Sequence, residues 1–68
     1  MKATFVGRDS IGFEKGKQYY IRSKLQLVSI PYGNVYKPKI CICIYNENGT
    51  NWYPYESLEA VLSNWKFG

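Results

Sequence analysis

Histidine is absent from this chain of 68 residues, and cysteine occurs only at positions 41 and 43. Without an imidazole, a nucleophile lacks the base that most often activates it, and a common zinc ligand is missing. Cys41 and Cys43 stand two apart in what reads as a strand. They therefore share a face with Cα atoms about 6.5–7 Å apart, beyond the usual disulfide separation. Structural thiols are expected, not a redox pair or a metal site. The five acidic residues, Asp9, Glu14, Glu47, Glu56 and Glu59, are scattered, and no two suggest a paired acid and base. The six glycines stand singly, so no phosphate-cradling loop is formed. No apolar run approaches the roughly 20 residues of a membrane span. The N-terminal MKATFVGRDS lacks the apolar centre of a secretory signal. The expectation is a cytoplasmic, non-enzymatic chain with no cofactor, no metal and no membrane contact.

What is present argues for a folded chain. Hydrophobic residues make up 46% and aromatics 18%, including seven tyrosines and two tryptophans, which is more than disordered segments carry. Residues 1–68 read as one domain. A core of this size yields only about 3–5 kcal/mol unless something staples it. The net charge of +4 is a moderate basic bias. It suits a nucleic acid, an acidic protein, or plain solubility.

Alternation of apolar and polar residues predicts short strands. Residues 2–7 form the first, with Ala3 and Phe5 on one side. Residues 8–15 form a loop from which Ile11 and Phe13 fold back over the core edge. In residues 18–28 the odd positions Tyr19, Ile21, Leu25 and Leu27 are apolar, while Arg22, Lys24 and Gln26 with Tyr20 make a cationic outer face. Ile30-Pro31-Tyr32-Gly33-Asn34 reads as the reversal. Residues 35–45 follow, with Ile40, Ile42 and Ile44 on one side and Cys41, Cys43 and Tyr45 on the other. Pro38 places the start of that strand at an edge or bulge. Asn46-Glu47-Asn48-Gly49 is a hairpin turn, and its overlap with an Asn48-Gly49-Thr50 sequon is incidental in a cytoplasmic chain. Residues 50–53 pair back, Pro54 ends them, and residues 55–58 make one helical turn. Residues 59–65 suit either a helix or a last strand. The predicted core is Ala3, Phe5, Ile21, Leu25, Leu27, Ile40, Ile42, Ile44, Leu58 and Val61.

Gly16-Lys17 with Tyr19, the turn at 46–49, Trp52-Tyr53-Pro54, Ser57-Leu58 and Val61 together resemble small SH3-like barrel proteins common in phages and prophages of Gram-positive bacteria. The likeness covers most of the chain and is weakest between residues 24 and 39. Asparagines stand where that group usually has acids in the turn, the aromatic after Leu58 is missing, and residues 62–68 extend past the usual end. The resemblance implies an all-β, SH3-like antiparallel barrel of about five strands with a short C-terminal helical turn. It implies an interaction module acting on a host or phage protein, and it carries over no catalytic residue.

Two binding surfaces follow from the residues. The favoured one is an aromatic patch for a protein partner, built from Tyr20, Trp52, Tyr53 and Tyr55, in which one of Trp52 and Tyr53 is expected to close the barrel. The alternative is a nucleic-acid surface of Tyr20, Arg22, Lys24, Tyr36, Lys37 and Lys39, with cations on phosphates and tyrosines on bases. The bland reading is that solvent-facing strands are polar anyway and that edge lysines discourage aggregation. A homodimer is a further expectation, through Val35 and Tyr36 or the face of Cys41, Cys43 and Tyr45, because added burial stabilises a marginal core.

Overall fold

One long hairpin dominates the computed structural model, which describes residues 1–8 and 12–68. Its arms are β2 (Gln18–Tyr32) and β3 (Val35–Asn46). Flanking them are β1 (Lys2–Phe5), β4 (Trp52–Tyr55), α1 (Leu58–Asn64) and β5 (Trp65–Phe67). The strands form one antiparallel sheet in the order β4-β3-β2-β1-β5. β4 and β5 are its outer strands and do not pair with each other, so the sheet stays open.

The reversal is tighter than the sequence suggests. Only Gly33 and Asn34 lie between the Tyr32–Val35 pair. Gly33 at φ 61 takes the positive-φ position of a primed two-residue turn, whose twist matches the strands. Pro31 therefore sits inside β2 instead of opening the turn. The Ile21 N–H donates to the Met1 carbonyl, away from β3. By alternation the N–H positions of the other odd residues of β2 also point away from β3. Pro31 thus lacks a donor only on a free edge, and so does Pro38, which lies opposite Ser29 in the same class of pair. Pro54 does not end its strand either. It lies within β4 opposite Cys43, on the outer side of an outer strand, where no ladder bond is lost.

Residues 59–65 resolve into both alternatives in turn. Ser57 caps α1, its Oγ accepting the Ala60 N–H at 3.1 Å. The helix ends at Trp65, which enters β5 and pairs with Phe5.

The core is Ala3, Phe5, Phe13, Ile21, Ile44, Tyr55, Val61 and Trp65, with Tyr19, Ile42 and Ala60 packed against it. Trp65 is its hub, with edge-on contacts to Phe5 at 5.0 Å and Phe13 at 5.1 Å between ring centroids. Phe13 folds back as expected, while Ile11 lies outside the described residues. Four predicted core residues are corrected: Leu25, Leu27, Ile40 and Leu58 are exposed, and Ile42 is only half-buried. β1 covers only residues 18–20 of β2, and β4 only residues 42–45 of β3. Beyond them the hairpin projects as a two-stranded ribbon that leaves Leu25, Leu27, Tyr36 and Ile40 exposed on one side, while Glu56 reaches Tyr32 and Lys39 on the other. A radius of gyration of 12.1 Å and extents of 36 × 21 × 20 Å reflect that arm, since a compact 68-residue domain has about 11 Å.

Candidate nucleic-acid interface

Alternation along β2 and β3 sorts the hairpin into an inner face, continuous with the core, and an outer face. Even residues of β2 lie beside odd residues of β3, so Tyr20, Arg22, Lys24, Lys37 and Lys39 all fall on the outer face. The same register adds three residues that the nucleic-acid surface read from the sequence did not include. Lys2 of β1 lies opposite Tyr20, and Arg22, Tyr45 and Trp52 form one row across β2, β3 and β4.

The row is built from planar groups beside a cation. The Tyr45 and Trp52 rings stack with centroids 5.6 Å apart and planes 16° from parallel. Tyr45 is fixed by its hydroxyl, which donates to Gln26 Oε1 at 2.6 Å. Arg22 donates through Nη2 to the Glu47 carbonyl at 3.3 Å, holding its guanidinium near the β3–β4 turn. A shallow depression lies among Arg22, Ser23, Lys24, Tyr45 and Gly49. At its side the Lys2 ammonium is 5.5 Å from the Tyr20 ring centroid, within cation–π range.

Farther along the ribbon, Lys37 and Lys39 lie 5.8 and 5.9 Å from the Tyr32 ring. Lys39 is also bound to Glu56, Nζ to Oε1 at 2.8 Å, and the Tyr32 hydroxyl donates to the same carboxylate at 3.3 Å. The Lys39 hydrogen bond holds the Glu56 carboxyl below the usual carboxylate range. Hydrogen bonds to Glu56 and Tyr32 hold the ammonium above its ordinary value. Lys39 is thus partly neutralised, unlike Arg22 and Lys24.

Several expected site residues are displaced. Tyr36 is exposed but lies on the inner face, opposite Pro31. Tyr55 is only 6% exposed, because its ring is taken into the core; burial pushes its phenol up. Trp52 and Tyr53 are both exposed, so neither closes the core. They point to opposite faces, since Tyr53 pairs with inner-face Ile44 and Trp52 with Tyr45. The patch of Tyr20, Trp52, Tyr53 and Tyr55 therefore does not exist as one surface. Cys41 and Cys43 are buried on the outer face, Cys43 between Lys24 and Pro54 of the neighbouring strands, and cannot offer a face to a second copy. Burial, reinforced by Cys41, raises the Cys43 thiol pKa.

Register was the missing signal for Tyr45 and Trp52. Once the turn is confined to Gly33 and Asn34, counting back places Tyr45 opposite Arg22.

Among the described residues, no cluster of three or more His, Cys, Asp or Glu side chains could hold a metal ion. No helix there is long and apolar enough to cross a membrane. Compared with protein-family models, curated proteins and solved structures, the chain finds no match in any of the three.

Proposed function

We propose that the chain is a non-catalytic, SH3-like module whose outer sheet face binds single-stranded nucleic acid. Five antiparallel strands, the first and last side by side, support the small-barrel assignment carried by the sequence resemblance. The observation that carries the binding reading is the row of Arg22, Tyr45 and Trp52 across three strands, with Lys24, Tyr20 and Lys2 around it. Every base has a π-face, so a stacked pair of exposed Trp52 on half-buried Tyr45 beside cations suits a strand of any sequence. Tyr45 and Trp52 supply the platform, while Arg22, Lys24, Lys2 and Lys37 neutralise phosphates. The protein-partner reading loses its support because its four aromatics are divided among two faces and the core.

Fluorescence anisotropy with labelled mixed-sequence DNA and RNA single strands tests it. With four cations on phosphates, affinity should fall about 50-fold between 50 and 200 mM salt, from a slope near −0.7 per contact. The double variant Arg22→Glu/Lys24→Glu should abolish binding with the fold intact. Absent binding at low salt, or binding indifferent to that variant, would leave a protein as the better occupant of this face.

A further inference from the structure

The opposite face of the ribbon has a different character. From Ser23 to Pro31 on β2 and Tyr36 to Ile42 on β3, every inner-face side chain is uncharged. Leu25, Leu27, Tyr36 and Ile40 are 70%, 65%, 72% and 67% exposed. At the base this strip runs into an apolar cleft lined by Met1, Ile42, Leu58, Val61 and Phe67. Monomeric proteins rarely leave contiguous apolar surface of this kind in water. The total accessible surface is 5046 Å², whereas a compact monomer of 7.9 kDa exposes about 4,400 Å². The excess of about 600 Å² is close to the roughly 800 Å² that each partner buries in a standard stable interface.

We infer that the chain forms a two-fold dimer in which the inner ribbon face of one copy packs on the same face of a second copy. An isologous contact must be self-complementary, and an uncharged apolar strip meets that condition without placing like charges on the axis. Stacked sheets lie about 10 Å apart. The cationic outer faces with Arg22, Lys24 and Lys37 then point to opposite sides of the dimer, about a Debye length or more apart. Strand addition at the ribbon's edges is disfavoured, because Pro31 and Pro38 each remove a donor from a free edge. A foreign partner recognised by charge would find no counter-charge on this strip. The outer face takes no part, so the inference stands independently of nucleic-acid binding.

Sedimentation of the full chain from about 1 to about 200 μM tests it, the span covering dissociation constants typical of small interfaces. The expected mass rises to twice 7.9 kDa with concentration. Leu27→Glu and Ile40→Glu change exposed positions, and circular dichroism should show each still folded. Each should weaken the dimer by about a hundredfold or more, since both copies then bring like charges into the contact. Arg22→Glu/Lys24→Glu should dimerise as the parent chain does. A parent chain monomeric at every concentration would overturn the inference in favour of a different protein on this strip. A dimer unaffected by both inner-face variants would overturn it in favour of another contact.

Discussion

The indole N–H of Trp65 donates to the Tyr55 hydroxyl at 3.0 Å inside the core, joining the residue that opens β5 to the last residue of β4. These outer strands do not pair, so this hydrogen bond is a direct polar link across the open sheet. Tyr55→Phe would leave a buried donor without its acceptor, and should cost about 1–3 kcal/mol in urea unfolding. The sum of Tyr55→Phe and Trp65→Phe should exceed the cost of the double variant, since the two share one bond. Additive losses would show that the bond contributes nothing.

The same phenol gives an alkaline signature. Its folded pKa is raised, chiefly by burial, so the unfolded chain ionises first as pH climbs past the usual tyrosine value near 10. Below that value its contribution is fully present, and it is lost as pH rises toward the folded value. Stability of the parent chain should therefore fall more steeply in alkali than that of Tyr55→Phe. Equal slopes would place the phenol in water.

Glu56 ties the β4–α1 junction to the ribbon through Lys39 and Tyr32. Its carboxyl is depressed by the Lys39 hydrogen bond, so the tie is in force above the usual carboxylate range near 4.3. It is lost as pH falls through the depressed value. Lys39 is shifted upward by the same contact, so its contribution persists until pH passes the ordinary lysine range. Near neutral pH, Glu56→Gln should speed amide exchange in the outer half of the hairpin and also strengthen nucleic-acid binding by freeing a cation. In strong acid the exchange difference should vanish. Unchanged exchange near neutrality would mean the contact restrains nothing.

How far this arrangement can be read from the residues depends on what each inference needs. Ile21, Ile44, Ala3 and Phe5 follow from period-two alternation, and their burial needs only a sheet with one covered face. Leu25, Leu27 and Ile40 obey the same alternation on the same face. Alternation encodes the side on which a residue lies but not whether anything lies over it, and β1 and β4 are too short to reach them. Pro31 and Pro54 resembled terminators because a missing donor ends a central strand, whereas here both point to free edges. Trp65 and Tyr55 could be placed only once α1 was known to turn the chain back beside β1. The cationic side of β2 was legible from Tyr20, Arg22 and Lys24 alone. Its aromatic platform required the cross-strand register, which the two-residue turn sets.

Cys41 and Cys43 should be silent toward thiol reagents in the folded chain. Both are fully buried, and Cys43 resists ionisation through burial and its thiol neighbour; the thiolate is the reactive form. In mildly alkaline buffer both should be labelled about a hundredfold or more slowly than in urea, as expected if reaction awaits opening of a core worth about 3–5 kcal/mol. Prompt labelling of either without denaturant would mean the outer face opens locally at that rung.

Stacking and charge on the outer face make separable contributions. Trp52→Ala removes half of the stacked pair with Tyr45 and should cost about 1–3 kcal/mol of affinity for a single strand. It should leave the dependence of affinity on salt unchanged, because no phosphate contact is lost. Lys24→Ala should do the opposite, weakening binding modestly while reducing the magnitude of the salt slope by about 0.7. Trp65 lies in the core and Trp52 on the surface, so the indole emission quenched on binding should disappear in Trp52→Ala and persist in Lys24→Ala. If Trp52→Ala bound as tightly as the parent chain, the aromatic row would be a cover for the sheet and no platform for bases.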